Sequence, residues 1–583
     1  LVIIQIISAS FILERYNLAL IDNMKKLFAT ILFGIVCFFG YSLQASSQTA
    51  VSQPTFKDIA EASLKAFYLI RSGVPIETQY AGEYARPLSH KDTHVLVHPS
   101  AASLDRPAGT VISSPLGWYD AGDYNKYVVN CAYSCGLMLL AYEQIPDYFK
   151  QHGSNIPESS NRTADILDEV MFSLKWMLTM QDPEDGGVYH KLTTPHFEEF
   201  IMPSECKQQR YVVQKSVTAT YDFAAIMAQA ARIFKGNLDY PEFSTQALVA
   251  AEKAYNWAKK HPYAYYDQNK INNTFKPAIT TGSYGDNNAS DECFWASIEL
   301  FLMTHKYTYY FEAIRNQPFQ MNVPSWASVA TLGSLEAIVH GHGILHDKAI
   351  IRLHHFAKHL ARLSMKSSIG ASFGTRPQDF YWGSLANACT QGYILLMADK
   401  YHIDKRESRK SSRQEHRLVD KVQTIDKSKS VAASSMPHRR HRRSTQKQSK
   451  RSRIKSLKIR RSKQRKESND YKAIARANMQ YILGHNPTGY CFVTAMGIKP
   501  VMHPHHRLSA ADAIAKPFPG LLVGGPNPGQ QDKKDLDKIN ILYPSKEPAL
   551  SYLDVTESYA SNEIAINWQA SLVALASWLA SLE

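Results

Sequence analysis

From about Pro54 onward, apolar residues recur at three- and four-residue spacing in one segment after another. That rhythm confines the chain to a fold built from helices. The spacing predicts helices near 57–71, 124–144, 163–181, 216–235, 242–260, 288–306, 325–340, 346–364, 378–401, 470–484 and 561–582. Thr163–Val170 opens one with a capping residue and early acids, and Ser216–Thr220 opens another that runs through Phe223, Met227 and Ile233. Strand signals are few and short. So many helices with long loops between them predict an all-α chain, a double ring of helical hairpins. Its loops would meet at one end and carry the chemistry.

The net charge of +14 would by itself suggest a nucleic acid or an anionic surface as partner. The charge is not spread along the chain, however. Lys405 to Glu467 holds 24 Lys or Arg against 5 Asp or Glu, which leaves the rest mildly acidic, with 42 basic and 47 acidic residues. This stretch, with runs such as His438–Arg443, has too few apolar residues to offset the entropy of ordering. It is expected to be a disordered insert at 405–467, with attachment to an acidic glycan or an anionic cell surface as the functional alternative. A nucleic-acid role does not fit, because aromatics are not interleaved with the basic residues.

Met24 begins a stretch with Lys25-Lys26, an apolar run from Leu27 to Tyr41 and a small-residue site near Ala45. This pattern predicts a secretory signal peptide over 24–45, with residues 1–23 as upstream translation. The apolar run is short for a membrane span. The expectation is a secreted or periplasmic monomer with no stable membrane span. Cys37 would leave with the leader. Cys131, Cys135, Cys206, Cys293, Cys389 and Cys491 are too scattered for a disulfide framework, and no CxxC pattern supports zinc.

Two acidic stretches carry candidate chemistry. Gly117–Tyr124 holds Asp120 and Asp123 around Gly122, in a turn before a helix, where both could point at one water. A cation-binding or capping turn would look the same. Tyr552–Ala570 holds Asp554 and Glu563, with Glu563 expected just inside the last helix. Apolar neighbours and a nearby carboxylate would keep Glu563 protonated, whereas a first-turn Glu could equally serve the helix dipole. Glycosidic hydrolysis needs such a pair, one carboxyl protonated and one ionised. Tyr481–Pro487 and Pro504–Arg507 add histidines and an arginine, read as hydrogen-bonding to sugar hydroxyls rather than as a metal site. Loops such as Asp185–Lys191, Thr281–Asp286 and Lys516–Pro528, several of them dense in aromatics and His, suit a sugar's CH faces and hydroxyls.

These motifs together resemble glycoside hydrolase family 9. WYDAGDYNKY (Trp118–Tyr127) is similar to the family's base-bearing motif. YILGHNP followed by HPHHR (His503–Arg507) is similar to its histidine motif, and YLDVTESYASNE (Tyr552–Glu563) to its acid-bearing motif. GGVYHK, YGDNNASDECFWA, PSWASVATLGS and FYWGS agree less specifically. The resemblance implies an (α/α)6 barrel with a substrate cleft at one end, and hydrolysis of β-1,4-glucan with inversion. It implies Asp123 as general base, Asp120 as its partner in holding water and Glu563 as general acid. Asp554, His505 and Arg507 would line the subsites around the cleaved bond. His190, Trp295, Trp326, Trp382 and Tyr559 would contact sugar. No cofactor is required, and structural calcium is possible at the Asp286–Glu292 loop. No Ig-like domain or appended carbohydrate-binding module is read from these residues, so soluble β-glucan or cello-oligosaccharide is the expected partner. Exo-action on cello-oligosaccharides and non-catalytic glycan binding are the alternatives.

Overall fold

In the computed structural model, which describes residues 53–401 and 471–583, the predicted helices form two nested rings. Both the leader and the 405–467 insert lie outside the described residues, so the expectations placed on them are not addressed by the fold. Residues Pro54–Glu583 cluster as one unit.

Six hairpins alternate outer and inner helices in chain order. They comprise α1 (Phe56–Leu69), α2 (Val128–Gln144), α3 (Asp165–Thr179), α4 (Val217–Ile233), α5 (Phe243–Lys260) and α6 (Ser290–Thr304). The second half comprises α7 (Tyr307–Asn316), α8 (Ala330–Val339), α9 (Gly343–Ser364), α10 (Leu385–Lys400), α11 (residues 471–482) and α12 (Ile566–Ala580). The even-numbered helices are inner ones. Of these, α2, α4 and α12 are buried nearly throughout, as an all-round apolar helix must be. Outer helices such as α5 bury one stripe and expose the other face. Around the inner ring α12 packs on α2, α2 on α4, α4 on α6, α6 on α8 and α10 on α12, while α9 joins α8 to α10. This is the (α/α)6 barrel.

Local signals set several boundaries. Thr55 and Asp58 close a capping box on α1, and the Ser216 side chain caps α4 by accepting from Ala219 N–H. Each such cap contributes about 1 kcal/mol. Four helix starts differ from expectation by at least four residues, all beside the cleft described below. Helix α2 starts at Val128 because Lys126–Tyr127 pairs as strand β3 with β4 (Lys191–Thr193). Helices α8 and α10 start later than predicted, after loops carrying Trp326 and Trp382. Helix α12 starts at Ile566, not at 561. Helix α7 was not predicted. Five short strands form one sheet in the order β2-β1-β5-β4-β3, with β1 Val95–Val97, β2 Val111–Ile112 and β5 Tyr211–Val212. No helix among the described residues is long and apolar enough to cross a membrane.

Candidate active site

The segments leading into α2, α6, α8, α10 and α12 converge at one end of the barrel around a cleft of about 760 Å³. Its lining includes Asp120, Asp123, Tyr284, Trp326, His505 and Glu563. A larger groove of about 990 Å³, between α9 and α11, has His355, Lys358 and Arg362 but no carboxylate among the described residues that line it. The smaller cleft is the one that gathers Asp120, Asp123 and Glu563 with aromatic rings.

The turn carrying the two aspartates is held from beneath. Trp118 is buried against Phe67, with ring centroids 4.5 Å apart, and donates from Nε1 to Glu169 Oε2 at 3.2 Å. Asp123 Oδ2 accepts from Asn125 Nδ2 at 2.5 Å and from the Tyr127 hydroxyl at 3.1 Å. Asp120 accepts from Asn130 Nδ2 at 2.7 Å and from the Tyr284 hydroxyl at 2.6 Å. Burial, then the charge of Asp123, pushes the Asp120 carboxyl up to about 8. Gly122 is obligatory for a steric reason. A Cβ there would stand 2.8 Å from His505 Cδ2 and 3.3 Å from Glu563 Oε1.

Glu563 is not inside a helix. A short helix, Tyr559–Asn562, ends at it, and Glu563 itself is extended, with φ −70° and ψ 156°. Its segment is stitched into the site as a strand. His505 pairs with Glu563, Val523 with Ile564 and Ala121 with Ala565. The first turn of α12 finds its acceptor in the catalytic turn, where Ile566 N–H donates to the Asp120 carbonyl at 2.8 Å. Nothing local in SNEIAIN breaks a helix; these long-range backbone bonds override its propensity. The Glu563 carboxyl is pushed up to about 8, first by removal from water and then by the charge of Asp123, with Arg507 opposing. Glu563 thus holds a proton at neutral pH, as its apolar neighbours suggested, and Asp120, raised to the same range, does so too.

His505 donates from Nδ1 to the Thr556 carbonyl at 2.6 Å. Burial, then Arg507, lowers its pKa to about 4, so the ring is neutral and Nε2 is left as an acceptor for a sugar hydroxyl. Arg507 donates from Nε to the Glu198 carbonyl at 2.7 Å and from an Nη to the Gly122 carbonyl at 2.8 Å. Trp382 and Tyr559 line the cleft with centroids 5.3 Å apart, and Trp326 meets Tyr284 edge-on at 4.9 Å.

Three expected site residues lie elsewhere. Asp554 does not line the cleft. Its two oxygens accept from Met502 N–H and His503 N–H, each at 2.9 Å, so it shapes the backbone that presents His505. His190 is fully buried, bonded to Ser216 Oγ and the Ser283 carbonyl at 2.9 Å each and stacked on Tyr266. It props the loop that lines the cleft and is not itself part of the lining. Trp295 is core: fully buried in α6, it donates to Glu299 Oε1 at 3.3 Å. Conversely, Asn125, Tyr127, Asn130, Tyr284, Phe197 and Trp568 belong to the site without having been singled out. Asn125, Tyr127 and Tyr284 lie inside quoted motifs, so the signal was there. Phe197 had none.

Two other clusters could concern a metal. Glu143, Glu336 and His340 bring ligand atoms within 4.8 Å of one another. Arg232 already bridges those carboxylates, so a cation is in place. Near the predicted loop, both Asp222 oxygens and Glu292 Oε2 are buried with no hydrogen-bond partner. Burial and mutual repulsion with Asp286 and Asp291 push Asp222 and Glu292 well up. A hard, oxygen-only donor set without a counter-charge fits calcium.

A double ring of helices with a protonated acid facing an acidic turn across an aromatic cleft defines a two-carboxylate glycosidase. Comparison with known proteins agrees. The family model for glycosyl hydrolase family 9 matches residues 56–576, and the chain belongs to that family. It is 46% identical over 546 residues to a xyloglucan-specific endo-beta-1,4-glucanase of Bacteroides ovatus, covering 92% of this chain and 81% of that protein. It is 29% identical over 537 residues to endoglucanase D of Acetivibrio thermocellus, covering 90% and 69%. Among solved structures, a family 9 protein of Bacteroides ovatus superposes with a TM-score of 0.75 at 45% identity, covering 90% of this chain and 83% of that one. A thermostable endoglucanase of Alicyclobacillus acidocaldarius, solved as a single mutant, gives 0.70 at 26%, covering 90% and 84%.

Proposed function

We propose that the chain is an endo-acting β-1,4-glucanase that hydrolyses its substrate with inversion. The observation that carries this is the protonated Glu563 set opposite the Asp120–Asp123 turn in one open cleft. Glu563 gives its proton to the leaving glycosidic oxygen. Asp123, oriented by Asn125 and Tyr127, takes a proton from water as that water attacks the anomeric carbon from the opposite face. Asp120, tied to Tyr284 and Asn130, helps hold the water. Neutral His505 accepts from a sugar hydroxyl, and Trp382, Tyr559 and Trp326 offer ring faces. Proton NMR of the first product tests the mechanism. Inversion gives the α anomer first, and initial β product would overturn it.

Xyloglucan is the favoured substrate within that class, because the 46% identical relative is specific for it. Rates on xyloglucan, mixed-linkage glucan and carboxymethylcellulose decide this, and the choice fails if xyloglucan is the slowest. The leader-like stretch at Met24–Ala45 supports export. Asp222 and Glu292, with Asp286 and Asp291 beside them, would hold a calcium ion that braces the loop of Tyr284. EDTA should then lower Tm by several degrees and added calcium restore it; an unchanged Tm counts against the ion.

A further inference from the structure

The loop from Pro195 to Cys206 leaves β4 and returns to β5, and it brings two phenyl rings to the rim of the catalytic turn. Phe197 and Phe200 keep 44% and 38% of their surface open, although each has an anchoring partner. The Arg507 guanidinium lies 5.5 Å from the Phe197 ring centroid and 5.1 Å from that of Phe200. Phe200 also stands edge-on to His505 at 5.3 Å, and Phe197 lines the cleft. Two exposed rings fixed on one guanidinium at the rim of the cleft offer an apolar face on which a sugar's CH face can pack.

The loop's fastenings run through the groups that hold the general base. Arg507 joins the Glu198 carbonyl of the loop to the Gly122 carbonyl of the turn. Asn125 donates to Asp123 and, through Oδ1, accepts from Thr194 N–H at the loop's root at 2.9 Å. The Tyr124 hydroxyl donates to the Ile201 carbonyl at 2.8 Å. A force on the loop therefore reaches the backbone on either side of Asp123.

We infer that Phe197 and Phe200 form a sugar-binding ledge for a glucosyl unit outside the two-carboxylate gap, and that Arg507 is the positioning residue coupling this ledge to the base. The inference rests on the hydrolase reading above and adds a subsite to it. Occupation of the ledge raises turnover as well as affinity, because remote binding energy is then used to fix Asp123 and its water.

Initial rates of the full chain on cellotriose through cellohexaose test this. In the unaltered enzyme kcat/KM should climb with length. The double variant Phe197→Ala, Phe200→Ala should lose tenfold or more on the longest oligomers and under twofold on the shortest one cleaved. Equal loss at every length would overturn the ledge. If the alanine pair lowers Tm, Phe197→Leu with Phe200→Leu keeps apolar bulk without a flat face and should show the same length dependence more weakly. Arg507→Lys keeps the charge near Glu563 but cannot span both carbonyls. It should lose the length-dependent gain in kcat with KM changed under twofold and the alkaline limb of the pH profile unmoved. A shifted limb with the length gain intact would show that Arg507 acts on Glu563 by charge alone. An unaltered enzyme that binds these oligomers without cleaving them overturns the hydrolase reading itself; one that cleaves them with a length profile indifferent to these variants overturns only the ledge.

Discussion

The barrel carries the same ingredients at both ends, three carboxylates and one arginine, and uses them oppositely. Where the inner helices finish, Glu143, Glu299 and Glu336 gather about Arg232, which pairs with all three, at 3.3 Å to Glu299 and 2.7 Å to Glu336. His340 Nε2 adds a 2.8 Å contact to Glu143. Burial works against Glu143, but His340 and Arg232 hold it below the ordinary carboxylate range, while burial pushes Glu299 up to about 7 and Glu336 well up in spite of Arg232. Where the inner helices start, Asp120, Asp123 and Glu563 face Arg507, which makes no ion pair with any of them and turns its donors to backbone carbonyls. An excess of buried acid alone is therefore not what makes a site reactive. The far end is a bonded network in which each carboxylate pairs with Arg232. The near end leaves its excess unpaired beside a cleft, and a proton on Glu563 relieves it.

The sharpest break of this contrast is Glu563→Gln. An amide keeps the shape and gives no proton, so kcat on polysaccharide should fall by about 10²–10⁴-fold, with Kd for the substrate changed little. Steady-state rates with binding measured by calorimetry decide it, and retained turnover would remove Glu563 from the role of acid.

At the far end Arg232→Met should do the reverse. It strands buried carboxylates, which costs about 3–5 kcal/mol in urea unfolding. The folded enzyme should keep its kcat/KM within about twofold, because Arg232 lies in the last turn of α4, outside the cleft lining. A large loss of activity without loss of stability would mean that the two ends communicate.

The same contrast explains what could be read from residues alone. The ring of helices was legible because burial on all sides or on one stripe writes itself into apolar spacing. The acids were legible because Asp120, Asp123 and Glu563 sit in compact motifs whose residue types match one reaction. What escaped was set by contacts distant in sequence. Glu563 is extended because His505, Val523 and Ala121 claim its segment, and no residue near it says so. Trp295 and His190 look like sugar ligands by type, but the first packs inside α6 and the second braces Ser283. Phe197 and Phe200 look like any loop aromatics until Arg507, over 300 residues later, is placed between them. Arg232 was silent for the same reason, since its partners come from three other helices.

The smallest expected effect tests the unpaired end most directly. The Asp120 charge is one of the influences that raise Glu563, alongside burial and Asp123. Asp120, itself raised to about 8, ionises over the same pH range as Glu563, so Asp120→Asn removes a charge that develops along that limb while keeping an oxygen that can accept from Tyr284 or Asn130. Glu563 then loses its proton at lower pH. An acid must be protonated to work, so the alkaline limb of kcat/KM, expected near pH 8 in the unaltered enzyme if Glu563 sets it, should move down by several tenths of a pH unit. Arg507→Ala should move it up, because the guanidinium opposes the rise. A limb that stays put in both variants would mean that the charges at the cleft are as fully paired as those around Arg232, and the distinction between the two ends would fall.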